Sequence, residues 1–288
     1  MAFSQNILRM ETIPKITATD LMDRYEVILL DAYGVLVSGD GALPGAAELI
    51  AALNRRGQSY YMVTNSASRL PETAAQRYRG FGLDIAPERI VTAGSLLAPY
   101  FAAHGLVGAR CIVLGPADSL RYVGLAGGRV VGVDDDFDAL VVCDEMGFPF
   151  LETVDAVISR LIARYDQGGT VPLILPNPDL IYPTGRGFGI TSGSMALMME
   201  AALRLRYPGR DIAGFVPLGK PHPAIFEEAV RRAGSRNMVM VGDQLETDVR
   251  GANAFGIDSA LVAGGVTSAV IPETAPRPTW LLCGGLGS

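Results

Sequence analysis

The sequence predicts an α/β protein built on a parallel sheet covered on both faces by helices. Three observations lead there. Short apolar runs of strand-like composition alternate with stretches of helical periodicity. Several of those runs end at a Gly, Asp or Asn, as strands do when they deliver polar groups to a sheet's carboxyl edge. The length, 288 residues, is enough to bury one large core or two smaller ones.

In chain order, strands are expected at Val27–Leu30, Ser59–Val63, Cys111–Leu114, Ala139–Cys143, Pro172–Leu175, Met238–Val241 and Ser259–Val262. A short strand is expected after the TAPRP segment near the end. Helices are expected between them. Gly45–Arg56 puts Ala46, Leu49, Ile50 and Leu53 on one face. Phe150–Tyr165 repeats Val154, Val157, Ile158, Leu161 and Ile162 at helical spacing, and Ser194–Arg206 follows suit. In Pro223–Ala233, an apolar stripe of Ile225, Phe226, Ala229 and Val230 faces charges on the opposite side. The character of the chain changes at HGLVGA (residues 104–109) and at YPTGRGFG (residues 182–189). Those hinge-like stretches divide it into a core, residues 1–99 and 188–288, and an inserted domain, residues 100–187.

Composition limits the function. The net charge is −6 and no basic stripe is present, which argues against nucleic acid as a partner. No apolar run approaches the ~18 residues of a membrane span. MAFSQNILRMETIPK has no apolar signal-peptide core. Cys111, Cys143 and Cys283 are odd in number and widely spaced, as expected of reduced thiols in a cytoplasmic protein.

Four segments carry potential chemistry. Asp31, with Gly34 behind it, directly follows a buried strand, where a carboxylate can act as nucleophile, metal ligand or both. In MVTNSAS (residues 62–68), Thr64 can donate its hydroxyl to a phosphoryl oxygen, with Asn65 and the following N–H groups beside it. In LGKPHPAIF (residues 218–226), Lys220 precedes a helix start, where a cation gains nothing from the helix dipole but can neutralise an anion or Asp31. In MVMVGDQLETDVRGA (residues 238–252), Asp243 ends a strand and Asp248 follows five residues later. With Asp31 they make an oxygen-rich set that suits Mg2+. Without a cation, three such groups would repel one another.

The order Asp31, Thr64, Lys220, Asp243 with Asp248 resembles the four motifs of the haloacid dehalogenase superfamily. The resemblance implies a Rossmann-like core and a Mg2+-dependent phosphatase working through an aspartyl-phosphate. It makes Asp31 the nucleophile and a metal ligand, Thr64 and Lys220 phosphate binders, Asp243 a metal ligand, and Asp248 a carboxylate holding metal-bound water. LPNPDLIYP (residues 175–183), followed by TSGSMALMMEAAL, is similar to the type IIA branch, the p-nitrophenylphosphatase and sugar-phosphatase-like enzymes. That branch inserts an α/β cap between the second and third motifs. Asn177 and Asp179 are then expected at the cap–core junction, with Asn177 near the substrate. The cap is a candidate surface for a homodimer, and the partner is expected to be a small phosphorylated metabolite, with sugar phosphates among the candidates.

Tyr33 departs from the family pattern, which has a second Asp there to protonate the leaving group and activate water. Its carbonyl can still serve a metal, but a phenol is a poor base at neutral pH. General acid–base help is worth roughly 10²–10⁴ in rate, so slow or selective turnover is expected. His222, Asp144 and Glu145 are candidate substitutes, and Arg121 and Arg186 are candidates for a second anion. Two alternatives stand beside the phosphatase. One is a catalytically weakened module that binds phosphorylated metabolites. The other is a metal-free 2-haloacid dehalogenase, whose first motif is similar to Asp31-Ala32-Tyr33-Gly34.

Overall fold

The computed structural model describes residues 7–8, 13–184, 186–262, 266–267, 271–272, 274–284 and 286–287. Most of MAFSQNILRMETIPK therefore lies outside the described residues. A seven-stranded sheet has the spatial order Lys15–Ile16, Trp280–Leu282, Asp258–Leu261, Met238–Gly242, Val27–Leu30, Ser59–Thr64, Ile90–Thr92. Every neighbouring pair in it is parallel. Val27–Leu30 and Met238–Gly242 sit in the middle and are buried at every position, which explains their unbroken apolar runs. Helices cover both faces. Ala46–Arg56 buries Leu49, Ile50 and Leu53 on one side, while Pro223–Ala233 buries Ile225, Phe226 and Ala229 on the other.

A second parallel sheet of five strands has the order Val216–Pro217, Leu173–Leu175, Ala139–Val142, Arg110–Leu114, Arg129–Val130. Helices Phe150–Asp166 and Ser192–Arg206 pack on one of its faces through Val154, Val157, Leu161, Met195, Met199 and Leu203. Its other face, with Cys111, Val141 and Ile174, joins an apolar cluster that continues into Val63, Val91 and Phe226 of the first unit. Helix side chains such as Phe101, Tyr122 and Val123 belong to the same cluster, so the two units share one apolar core region.

The expected domain boundary at residue 188 requires correction. YPTGRGFG is not a hinge but part of an antiparallel hairpin, Ile181–Thr184 with Gly187–Ile190. The next helix packs against the second sheet, and Val216–Pro217 pairs with Leu173–Leu175. The chain returns to the core only after Pro217. A two-residue strand containing a proline has too little apolar pattern to reveal its partner in sequence.

Candidate active site

Three adjacent core strands place the sequence motifs at one edge. Asp31 follows Val27–Leu30, Thr64 ends Ser59–Thr64, and Asp243 follows Met238–Gly242. Asp31 N–H donates to Val241 O at 2.9 Å, which extends the ladder to the carboxylate-bearing residue. Behind it the chain turns sharply. Leu36 and Val37 N–H both donate to Ala32 O at 2.9 Å, and Gly34 N–H donates to Val37 O at 2.9 Å.

Two glycines set the approach of the carboxylates. Gly34 has φ +86°, and a Cβ there would lie 2.2 Å from Asp243 Oδ2. A Cβ on Gly242 would lie 2.2 Å from the Asp248 carboxylate. Oxygens of Asp31, Asp243 and Asp248 consequently all fall within 4.8 Å of one another. Lys220 lies beside them, 2 % exposed, with Nζ donating to Asp31 Oδ1 at 2.5 Å and to Asp248 Oδ1 at 2.7 Å.

Electrostatics points to a missing positive charge. Burial pushes the Asp31 carboxyl well above the usual range despite the pull of Lys220, and Asp248 and Asp243 push it further. Burial, then the charge on Asp248, raises Asp243 in the same direction. Burial disfavours the Lys220 ammonium, but Asp248, Asp31 and Asp179 outweigh it and hold it above the usual lysine range. One ammonium against three carboxylates leaves a deficit that one divalent cation cancels. Asp243 Oδ1 is buried and has no hydrogen-bond partner among the described residues, although Val266 N–H donates to Oδ2 at 2.7 Å. An all-oxygen donor set with one orphaned oxygen fits Mg2+.

A cleft of about 310 Å3 opens above Asp31 between the core edge and the cap. Tyr33, Thr64, Asn177 and Asp179 line it, together with Asp144 and Glu145 from the cap. Tyr33 meets Tyr182 of the cap hairpin edge-on, with ring centroids 5.8 Å apart at 81°. Asn177 Oδ1 accepts from Asp179 N–H at 3.0 Å and shapes the junction turn.

Other expectations need correction. Asn65 was expected among the phosphate binders, but its side chain is buried and committed to bracing. Its Nδ2 donates to Asp179 Oδ1 at 2.9 Å and to Lys220 O at 3.0 Å, and its Oδ1 accepts from Lys220 N–H at 2.6 Å. His222 occupies the N-cap position of helix Pro223–Ala233, makes no side-chain capping bond there, and does not line the cleft. Arg121 pairs with Asp118, and Arg186 is exposed. The arginines that do line the cleft are Arg69 and Arg77. Their spacing after the TNSAS turn gave no sign of it, because the helix Pro71–Gly80 that orients Arg77 has only a weak apolar stripe.

Asp179 supplies a test of this geometry. Burial raises its carboxyl to about 6, against the pull of Lys220 and the hydrogen bond from Asn65. The unfolded value is near 3.9. The folded state therefore favours the protonated acid, and the associated stability is lost as pH rises from about 4 through 6. Relative to Asp179→Asn, the wild-type melting temperature should fall across that window. A constant difference between the two proteins would contradict the assignment.

Known proteins of similar sequence and fold identify the family. Residues 28–128 match a family model described as haloacid dehalogenase-like hydrolase, and residues 217–284 match one described as HAD-hydrolase-like. The D-glycerol 3-phosphate phosphatase of Mycobacterium tuberculosis is 31% identical over 267 residues, covering 91% of this chain and 70% of that protein. The crystal structure of a possible sugar phosphatase from Cytophaga hutchinsonii superposes with a TM-score of 0.81 at 31% identity, covering 96% of this chain and 99% of that one. A glycerol phosphate phosphatase from M. tuberculosis, solved in complex with magnesium, gives a TM-score of 0.72 at 28% identity, covering 93% of this chain and 76% of that one. The chain belongs to the haloacid dehalogenase-like hydrolases, in the type IIA branch.

Proposed function

We propose that the protein is a Mg2+-dependent phosphatase for small phosphorylated polyols or sugars, acting through an aspartyl-phosphate on Asp31. The observation that carries this is the gathering of Asp31, Asp243 and Asp248 within 4.8 Å beside Lys220, with Asp31 lining a cleft. Relatives named as glycerol phosphate and sugar phosphatases support the substrate class. The magnesium complex of one neighbour supports the metal.

In this proposal Asp31, Asp243 and Asp248, with the Tyr33 carbonyl, hold the metal. When bound, Mg2+ would supply charge neutralisation for a phosphoryl group. Lys220 pulls Asp31 toward its ionised form and orients it, and Thr64 offers a hydroxyl to a phosphoryl oxygen. The Asp31 oxygen attacks phosphorus, the ester bond breaks, and water then hydrolyses the acyl phosphate to return Asp31. A metal-free dehalogenase has no use for two further buried carboxylates next to its nucleophile, which weighs against that alternative.

Hydrolysis of glycerol 3-phosphate and 4-nitrophenyl phosphate should require Mg2+. Chelation should lower it at least about 100-fold, and added Mg2+ should restore it. Mg2+-dependent phosphate binding without turnover would instead indicate a binding module. Chloride release from 2-chloropropionate without metal would indicate a dehalogenase.

A further inference from the structure

Ester hydrolysis at this site needs a proton for the departing alkoxide, yet position 33 brings a phenol to the cleft, not a carboxylate. In an in-line displacement the leaving oxygen lies on the side of phosphorus away from the nucleophile. Asp31 stands on the core side, so the leaving oxygen faces the cap. The loop after strand Ala139–Val142 brings Asp144 and Glu145 into the cleft from that side.

This loop is held in place. Cys143 and Asp144 N–H donate to Leu114 O at 2.9 and 3.2 Å. Gly147 has φ +92°, and a Cβ there would meet Pro116 Cα at 2.5 Å, so the loop lies tight against the neighbouring turn. That turn opens helix Ala117–Leu125, which is tied to the core. Its Ser119 hydroxyl donates to Ala67 O at 2.8 Å, and Tyr122 OH donates to Arg69 O at 2.6 Å.

The two cap acids differ in their engagements. The Asp144 carboxylate accepts from Met146 N–H at 3.1 Å and from the Ser68 hydroxyl of the core, and so works as a latch. Glu145 is half-buried and engaged only by its own N–H among the described residues. The charged and titratable groups that share the cleft with it are Asp144 on its own loop, Tyr182 of the hairpin with Tyr33 behind it, Arg69 and Arg77 of the core, and Asp31 and Asp179. Asp179 is held by Asn65, and His222 is outside the cleft.

We propose that Glu145 is the catalytic acid and base that replaces the carboxylate missing at position 33. This rests on the phosphatase proposal above. In the first step Asp31 Oδ bonds to phosphorus, the phosphorus–oxygen ester bond breaks, and the Glu145 carboxyl gives its proton to the leaving oxygen. In the second, water attacks phosphorus, its proton passes to the Glu145 carboxylate, and the bond to Asp31 breaks. The cycle yields alcohol and inorganic phosphate and returns both side chains to their starting forms. Burial, then the charge on Asp144, pushes the Glu145 carboxyl up to about 7, which suits proton transfer in both directions near neutral pH.

The test compares wild type, Glu145→Gln and Glu145→Asp in Mg2+ on glycerol 3-phosphate and 4-nitrophenyl phosphate. Glu145→Gln should lower kcat on glycerol 3-phosphate by about 10²–10³-fold with little change in KM. With 4-nitrophenyl phosphate, whose leaving group needs no proton, it should give a burst near one equivalent and then stall, leaving the Asp31 peptide phosphorylated. The wild-type single-turnover rate on glycerol 3-phosphate should fall as pH rises through about 7. That limb should vanish in Glu145→Gln and return in Glu145→Asp. A wild-type kcat in folded Glu145→Gln, or an effect confined to KM with the pH limb intact, would overturn the proposal. Wild-type protein that hydrolyses neither ester would overturn the phosphatase proposal itself, and this one with it.

Discussion

Asp31→Asn is expected to reduce phosphate-ester turnover by on the order of 10⁴-fold or more, with the fold intact. The amide is nearly isosteric with the carboxylate but cannot form the covalent intermediate. Losing the nucleophile of a covalent mechanism removes most of the catalysis even when the rest of the site survives. The contacts around position 31 leave no obvious understudy. Asp248 is occupied by Lys220 Nζ and Gln244 N–H, and Asp243 is buried below Gly34. Steady-state assays, with mass spectrometry of the peptide containing residue 31, check this. Wild-type protein quenched during turnover should yield a phosphorylated peptide and the variant none. A variant keeping more than a tenth of the wild-type rate would rule out Asp31 as the nucleophile.

Lys220→Met carries the second large effect, on stability as well as rate. The ammonium is buried with two carboxylates that are themselves 8 % and 1 % exposed at the side chain. Removing one partner of a buried ion pair costs about 3–5 kcal/mol, because the partners' charges remain in the interior without compensation. Loss of a preorganised positive donor at a reacting centre costs roughly a further 10²–10³ in rate. Urea titration should show the destabilisation. Mg2+ should raise the unfolding midpoint of the variant more than that of the wild type, since a cation among three carboxylates replaces part of what the lysine supplied. Wild-type stability with an unchanged Mg2+ response would show that the carboxylates do not share one charge environment.

Much of this site was legible in the sequence because the central strands of a parallel sheet are buried on both faces. Val27–Leu30 and Met238–Gly242 stand out as unbroken apolar runs, and a carboxylate directly after each has to emerge at the sheet's edge. The cap boundary was less legible. The strand Val216–Pro217 owes its place to pairing with Leu173–Leu175, a partner distant in sequence. The glycines of YPTGRGFG suit a hinge and a hairpin equally well, and the register of Ile181–Thr184 against Gly187–Ile190 settles it. Asn65 shows another gap. A polar residue after a strand reads as ligand-binding, but only the folded chain reveals that Asp179 and Lys220 engage its whole amide. The cleft arginines and Glu145 come together through the docking of cap on core, and no local pattern encodes that.

The central claim is that Asp31, Asp243 and Asp248 enclose one divalent ion next to Lys220. Anomalous diffraction from crystals of the protein grown with Mn2+ tests it most directly. A single strong peak is expected within coordination distance of Asp31 and Asp243 oxygens, on the side of Asp243 where Oδ1 lacks a partner among the described residues. A map with no peak there, while Asp31 and Asp248 keep their bonds to Lys220, would contradict it.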